Sequence, residues 1–354
     1  MNDSMTGKVQ TVLGPVSPEA LGQTLAHEHL LIDLECYFVQ PEEATERAYV
    51  DAPVEMANRG ALPARWTHNL AQMKLLDEPV ATSEAMEFRL AGGGTLVDVT
   101  SKGIGRDPLA LARISRSTGL NVVMGAGYYI PLSHPADMDE RSEESIYDEM
   151  VRDVTVGIGE TGIRSGIIGE LGNTAPLTGN SKKVLRAAGA ASKATGAPIT
   201  IHPGAGTALE IIDILTTAGA DPNRVAMGHL GMGHRDPKVL LAIVESGAYA
   251  QFDHFGGFED TSLRSLTSAN MVVNDVQRLE MVERLVREGY EDRLLFSHDV
   301  CWLTHLSSKG GKGYAHVIES LVPRMMRSGW TPEQVNKVLV ANPARLLTFE
   351  APAL

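Results

Sequence analysis

Cysteine, long apolar runs and clustered basic residues are all scarce in this chain of 354 residues. Its two cysteines, Cys36 and Cys301, are too few for a disulfide framework and too far apart for a zinc knuckle, so free thiols are expected. No apolar run approaches the roughly 18 residues of a membrane span, and the first residues lack the pattern of a secretion signal. These absences predict a cytoplasmic protein with no membrane partner.

Positive charge is also in short supply. Lys and Arg number 31 against 44 Asp and Glu, which gives a formal net charge of −13. The basic residues are scattered along the chain, whereas nucleic acids and anionic membranes need them clustered. The composition therefore argues against nucleic acid as a partner, and a small molecule is the expected one.

What the chain does contain is a regular alternation of Val/Ile/Leu runs with amphipathic segments. The runs predict eight strands, at residues 24–29, 95–99, 121–125, 166–170, 198–202, 225–229, 248–253 and 294–298. Helical spacing of apolar residues occurs at 142–156, 181–195, 237–246 and 274–288, and a glycine directly follows each of the last three. Repeated strand and helix units of this kind predict a (β/α)8 TIM barrel.

Two further segments fit this barrel. Residues 33–77 interrupt the alternation and form a long insertion after the first strand, as expected of a lid or a subunit contact. From Thr331 the sequence begins a helix that is predicted to cover the barrel. We therefore expect one domain over residues 1–354.

Histidines and acids follow the predicted strands in a fixed order. They are His27 and His29 in AHEHLL, Glu170 in GELG, His202 in TIHPG, His229 in MGHLG and Asp299 in FSHDV. Catalytic side chains of parallel barrels gather at the carboxyl ends of the strands. A lone strand-end histidine is more often a hydrogen-bonded core residue, so the interpretation depends on the order and placement of the whole set.

The chemistry of this set indicates a metal site. His27 and His29 are two residues apart, and side chains alternate along a strand, so both imidazoles face the same way and one metal could bind both. Four imidazoles and two carboxylates are enough for two divalent ions that share a carboxylate. The sequence therefore predicts a metallohydrolase.

These motifs resemble the phosphotriesterase family of the amidohydrolase superfamily, and most of all its branch of phosphotriesterase-related proteins. The likeness runs from LGPVSPEALGQTLAHEHL through GIIGELGNTAPLT, GAPITIHPG and GYEDRLLFSHDV to ANPARLLTF. The resemblance implies that His27, His29 and Asp299 hold the more buried of two divalent ions, and that His202 and His229 hold the more exposed one. It implies that Glu170 bridges the two ions, where several members of the family use a carboxylated lysine. It also implies a homodimer.

The roles of the ions and of two catalytic residues follow from this likeness. Zinc is the first expectation, and manganese, cobalt or iron would suit the same ligands. Asp299 would accept the proton of the attacking water. His254, in FDHFGG, would pass that proton on or contact the leaving group, unless it is a structural histidine. An acid that continues the relay in some relatives is replaced here by Met232, for which His234 or Asp236 are candidate substitutes.

The substrate is less well defined by the sequence. Tyr128, Tyr129, Trp302 and His305 follow predicted strands and are candidates for the pocket rim or for loop packing. The favoured reaction is hydrolysis of a small lactone, carboxylic ester or N-acyl amide, with phosphotriesterase activity as an alternative. Two other classes stay open: a non-catalytic protein that binds small molecules, and a metal-independent enzyme that forms a Schiff base through Lys102.

Overall fold

Eight parallel strands form one sheet in the order of the chain. The computed structural model of the protein describes residues 5–232, 234–257 and 273–352. The strands are β1 (Gln23–Glu28), β2 (Gly93–Asp98), β3 (Asn121–Ala126), β4 (Ile167–Gly172), β5 (Ile199–His202), β6 (Val225–Met227), β7 (Tyr249–Phe252) and β8 (Leu294–Phe296). Backbone ladders join each strand to the next, and β8 comes round to lie against β1. The predicted TIM barrel is confirmed.

A helix connects each strand to the next. These helices are α1 (Glu78–Leu90), α2 (Pro108–Thr118), α3 (Glu143–Thr155), α4 (Gly179–Thr195), α5 (Ala208–Thr217), α6 (Pro237–Glu245) and α7 (Asp275–Arg287). After β8, a π-helical turn at Val317–Leu321 leads into α8 (Val322–Arg327). Polar caps fix several starts; the Ser142 hydroxyl, for example, accepts from the Ser145 amide at the start of α3. Gly196 ends α4 at φ +74°, a conformation that glycine adopts without strain.

The predicted helices agree with α3, α4, α6 and α7 to within two residues at either end. The sequence analysis did not identify α1, α2 and α5. In α1 the buried face consists of Ala81, Glu84, Ala85 and Phe88, so its apolar periodicity is weak. Predicted strands 225–229 and 294–298 are each two residues too long, since β6 ends at Met227 and β8 at Phe296.

The insertion after β1 is fixed against the barrel. Its two ends pair as a short antiparallel ladder, Ile32–Asp33 with Lys74–Leu75. On its far side the Arg59 guanidinium donates to the carbonyl of Lys309 at 2.7 Å, and the Leu303 amide donates to the carbonyl of Gln72 at 3.0 Å. The insertion is thereby attached to the loop that follows β8, and it forms a wall beside the carboxyl ends of the strands.

The opposite end of the barrel is covered by the two ends of the chain. A hairpin of Val9–Thr11 and Gly14–Val16 lies there, together with the helical segments Pro332–Asn336, Lys337–Ala341 and Asn342–Leu347. Leu346 packs against residues of β1, β6, β7 and β8 inside the barrel. The helix predicted from Thr331 therefore covers the end at which the strands begin.

The membrane prediction can be compared with the helices. None of the helices within the described ranges is both long enough and apolar enough to cross a bilayer. The cytoplasmic location, the single domain and the homodimer stay predictions.

Asn342 ties the final helix to β8 and offers a test of this closure. It is fully buried, and its amide donates to the carbonyls of Glu291 and Leu294, each at 2.9 Å. Asn342→Ala should lower the free energy of unfolding by about 1–3 kcal/mol, because buried carbonyls lose their donor. Urea unfolding followed by circular dichroism measures the change. The control is Asn180→Ala, because the hydrogen bond from Asn180 to Asp139 is solvent-exposed and its loss should have little effect on stability. Equal losses of stability in the two variants would contradict the role of Asn342 in closing this end of the barrel.

Candidate metal centre

The six predicted ligands meet at the end of the barrel where the strands end. His27 lies in β1, Glu170 in β4, and His202 is the last residue of β5. His29, His229 and Asp299 follow shortly after the ends of β1, β6 and β8. The ligand atoms form two adjoining groups, His27 with His29 and Asp299, and Glu170 with His202 and His229, and within each group they lie within 4.8 Å of one another.

The first group is almost completely buried. The Nε2 atom of His29 lies 3.2 Å from Oδ1 of Asp299 and 3.3 Å from Oε1 of Glu170. The Nε2 atom of His27 lies 3.4 Å from Oε2 of Glu170 and 3.7 Å from Oδ1 of Asp299. Two imidazole nitrogens and two carboxylates therefore converge on one small volume.

The second group shares the Glu170 carboxylate with the first. Its Oε2 atom lies 3.4 Å from Nδ1 of His202 and 3.7 Å from Nε2 of His229, and these two ring nitrogens are 2.6 Å apart. The His202 side chain is 21% exposed, whereas the side chains of the other three histidines are at most 5% exposed. Of the pair that the resemblance assigns to the more exposed ion, His202 is therefore the more exposed side chain, and His229 is as buried as the first group.

Two atoms of this cluster lack a conventional partner. The Nε2 atom of His27 and the Oε2 atom of Glu170 are buried, and no hydrogen-bond partner for either lies in the described part of the chain. An unsatisfied buried polar group costs about 1–3 kcal/mol. Imidazole nitrogens and carboxylate oxygens are ligands of divalent ions such as zinc, so the donor set fits the predicted ions.

Hydrogen bonds on the far side of the rings fix their tautomers. The Thr100 hydroxyl donates to the carbonyl of Leu31 at 3.0 Å, so its oxygen accepts from Nδ1 of His29 at 2.9 Å. Likewise Nδ1 of His229 donates to Oδ1 of Asp253 at 3.1 Å. When either ring gives up a proton to bind a cation, the proton that remains is on Nδ1, and the Nε2 lone pair faces the centre.

Asp253, at the end of β7, is a site residue that the sequence analysis did not identify. Its fully buried carboxylate accepts from the amide and the ring of His229, at 3.0 and 3.1 Å. The same carboxylate lies 3.4 Å from Nδ1 of His27 and 3.3 Å from Nδ1 of His254. Asp253 therefore orients the His229 ring and lies beside the rings of His27 and His254. Its position directly before His254 in FDHFGG was the available signal.

His229 and Asp299 have left-handed backbone conformations, both with φ of 54°. Residues other than glycine adopt this region infrequently, although His and Asp do so more often than most. The turn explains why β6 and β8 end before these residues. It also turns both side chains into the centre, which is the kind of place where proteins tolerate such strain.

Burial and charge act against each other in this cluster. Burial raises the pKa values of Glu170 and Asp299, but the facing histidines outweigh it and hold both pKa values well below the usual range. Burial lowers the pKa of His29, yet hydrogen bonds to Asp299 and Glu170 raise it overall to about 10. Both carboxylates are thus ionised at neutral pH and available to a cation.

His254 lies beside the predicted proton acceptor. Its Nε2 atom is 3.2 Å from Oδ2 of Asp299, and burial lowers its pKa. Asp236, a candidate substitute for the relay acid, caps α6, where its carboxylate accepts from the amide of Lys238 at 2.9 Å. Met232 lines the pocket, and Asp253 is the acid that faces His254 on the side away from Asp299.

A cavity of about 260 Å³ opens above the cluster. His29, Glu170, His202, His229, His254 and Asp299 make up its polar part. Its remaining lining is aromatic or otherwise largely apolar: Ile32, Leu34, Tyr37, Trp66, Tyr129, Met232, Cys301 and Trp302. No Lys or Arg occurs in this lining among the described residues.

The candidate rim residues divide between the pocket and the surrounding loops. Tyr129 and Trp302 line the cavity, while Tyr128, His305 and Lys102 are not part of that lining. Lys102 forms an ion pair with Glu149 at 2.8 Å. Tyr37 and Trp66 were not singled out from the sequence, because they come from the insertion, whose pattern does not predict how it folds back.

A (β/α)8 barrel with histidines and acids at its strand ends is an architecture found among metal-dependent hydrolases. The sequence model of the phosphotriesterase family matches residues 7–347, and the chain belongs to this family. It is similar to an N-acetyltaurine hydrolase from Tetraodon nigroviridis, at 39% identity over 98% of this chain and 99% of that protein. A phosphotriesterase-related protein from Nematostella vectensis is 37% identical over the same shares. The expected family and branch are confirmed, and the protein is a hydrolase.

Solved structures support the same assignment. A resiniferatoxin-binding protein from Rhodobacter sphaeroides superimposes with a TM-score of 0.91 and 34% identity, covering 96% of this chain and 95% of that one. A lactonase from Listeria monocytogenes superimposes with a TM-score of 0.77 and 25% identity, covering 97% of this chain and 100% of that one.

The two groups of ligands lead to a prediction about metal content. Protein purified without chelator and reconstituted should contain close to two divalent ions per chain, measured by inductively coupled plasma mass spectrometry. His202→Ala should lose mainly one of them, because the other group keeps its ligands. His68→Ala, a histidine of the insertion, is the control and should keep both. A firm value of zero ions after reconstitution would sink the metal-site interpretation.

Proposed function

We propose that the protein is a binuclear metal-dependent hydrolase that cleaves a small acyl compound, with N-acyl amides as the first substrate class. The observation that carries this proposal is the Glu170 carboxylate, which faces His27 and His29 on one side and His202 and His229 on the other. A carboxylate in this position can bridge two cations. Zinc is the first candidate, and manganese, cobalt or iron would suit the same ligands.

Each residue has a role in the proposed reaction. Two divalent ions, when bound, lower the pKa of a water molecule from about 15.7 toward 7 and so supply hydroxide at neutral pH. Glu170 contributes one negative charge spread over two oxygens. Asp299 accepts the remaining proton of that hydroxide as its oxygen bonds to the carbonyl carbon of the substrate and the bond from that carbon to the leaving group breaks. His254, 3.2 Å from Asp299, takes that proton onward or donates it to the leaving group.

The cavity favours a small substrate. At about 260 Å³ it is below the roughly 300–1,000 Å³ of pockets that hold drug-sized ligands. Its aromatic and aliphatic walls suit a short acyl group. Relatives named N-acetyltaurine hydrolases share 35–39% identity with this chain over nearly its whole length, which supports an N-acetyl amide of an amino-acid-like compound. The lactonase neighbour makes lactones the second candidate class.

A binding protein, a Schiff-base enzyme and a dedicated phosphotriesterase fit the site less well. The neighbour named as a resiniferatoxin-binding protein is consistent with a binding function, but binding alone does not require six convergent ligands. Schiff-base chemistry would need Lys102 in the pocket, and Lys102 is paired with Glu149 outside the described lining. Phosphotriester hydrolysis is expected only as a side activity, because the sequence resembles the branch that has glutamate at the bridging position.

A substrate screen tests the proposed class. The metal-reconstituted protein should hydrolyse N-acetylated amino-acid-like amides, including N-acetyltaurine, with a higher kcat/KM than lactones or aryl phosphotriesters. Asp299→Asn is the negative control, because it keeps the shape of the side chain but removes both the proton acceptor and a charged ligand of the first group. Efficient turnover of phosphotriesters with amides and lactones ignored would contradict the proposal.

The bridging role of Glu170 can be tested separately. A native carboxylate bridges two cations without help, whereas a lysine must first react with carbon dioxide. Reactivation of apo-protein by metal should therefore be indifferent to bicarbonate. Glu170→Gln keeps the shape but removes the charge, so it should weaken binding of both ions and depress kcat with the circular dichroism spectrum unchanged. Full metal content and rate in this variant would mean that Glu170 is not the bridge.

A further inference from the structure

The seam between β8 and β1 differs from the other strand contacts of the barrel. These two strands stand at opposite ends of the order of backbone ladders, and no ladder joins them in the described part of the chain. Individual hydrogen bonds connect the two strands instead. The His27 amide donates to the Ser297 hydroxyl at 3.0 Å, and the Asp299 amide donates to the His27 carbonyl at 3.3 Å. This seam carries His27, His29 and Asp299, the complete first group of predicted ligands.

Glu28 provides most of the remaining attachment across the seam. It is fully buried, and its Oε1 atom accepts from the Ser297 hydroxyl at 2.7 Å and from both the amide and the ring Nδ1 of His298, each at 2.8 Å. Its Oε2 atom accepts from the Val300 amide at 3.0 Å. One carboxylate therefore receives four hydrogen bonds from the residues on both sides of Asp299.

The position of Glu28 in the sequence links these hydrogen bonds to the predicted ligands. It lies between His27 and His29, and side chains alternate along a strand, so its carboxylate points away from the two imidazoles. On the neighbouring strand it holds residues 297, 298 and 300, which bracket Asp299. Asp299 itself has a φ of 54° and needs support from its neighbours to keep that conformation.

We propose that Glu28 is a positioning residue, which fixes the distance between the His27–His29 pair and Asp299 and so sets the geometry of the more buried ion. This inference rests on the proposed metal centre. Glutamine cannot replace Glu28. If its side-chain NH2 group takes the place of Oε2, that group faces the N–H of Val300, and two donors then meet. If the NH2 group takes the place of Oε1 instead, it faces the amide N–H and the ring Nδ1–H of His298, which are also donors. Either orientation opens the seam next to Asp299.

A matched control exists in the same part of the fold. Glu84, on α1, is also a buried carboxylate, and it accepts from the amides of Ser307 and Ser308 at 2.8 Å each. It therefore anchors the loop after β8 but bonds to none of residues 297–300. Loss of the Glu28 carboxylate leaves buried amides without an acceptor, and loss of the Glu84 carboxylate does the same to part-buried amides, so both variants should be less stable. Only the Glu28 variant should change the binding of the ions.

The experiment is a cobalt titration of apo-protein, followed by the visible absorption of the bound ion. Wild type should bind two ions. Glu28→Gln should weaken one of the two binding steps about 10–100-fold, the loss typical of a residue that orients metal ligands, and should shift the absorption of that ion. Glu84→Gln should keep both steps and both spectra. Ser297→Ala, which removes the hydroxyl between His27 and Glu28, should weaken the same step to a smaller degree, and it replaces Glu28→Gln if that variant does not fold.

The outcomes separate the two proposals. Unchanged cobalt binding and spectra in both seam variants would overturn the role of Glu28 while leaving the metal centre intact. Equal metal loss in the Glu28 and Glu84 variants would overturn it as well, because the effect would then be one of general stability. No cobalt binding by wild type would overturn the proposed centre and this inference with it.

Discussion

The burial of the Glu170 carboxylate is the constraint on which the site depends. A buried charge without a partner is strongly unfavourable, and Glu170 is 2% exposed in the centre of the barrel. Four imidazoles surround it, and they come from β1, from β5 and from the turn after β6. The parallel barrel brings these strand ends together. Fold and charge balance therefore support each other, and divalent cations in the same volume would supply the missing positive charge.

Two further buried acids hold the predicted metal ligands in place. Asp253 orients His229 and approaches the rings of His27 and His254, while Glu28 holds the backbone on both sides of Asp299. Both acids accept hydrogen bonds from donors that would otherwise be unpaired, which makes their own burial tolerable. The strained turns at His229 and Asp299 persist because these acids hold the residues beside them.

The sequence predicted the barrel and the six central residues, and physical reasons explain what it did not predict. Val/Ile/Leu runs mark buried parallel strands clearly, so all eight were found. The ends of β6 and β8 were placed too late, because the left-handed turns at His229 and Asp299 leave no mark in the apolar pattern. Glu28, in β1, and Asp253, directly after β7, were overlooked because a single acid leaves no periodic signal in the sequence. Their roles depend on which neighbouring strand their side chains meet.

The walls of the pocket have a different origin from its polar base. Tyr37 and Trp66 come from the insertion, and Trp302 comes from the loop after β8. The ring of Trp66 contacts the other two edge-on, at centroid distances of 5.4 and 5.2 Å. Because Arg59 attaches the insertion to that same loop, these three aromatic side chains form one unit outside the eight strands. A change in the insertion would then alter the pocket walls while the polar centre stays the same.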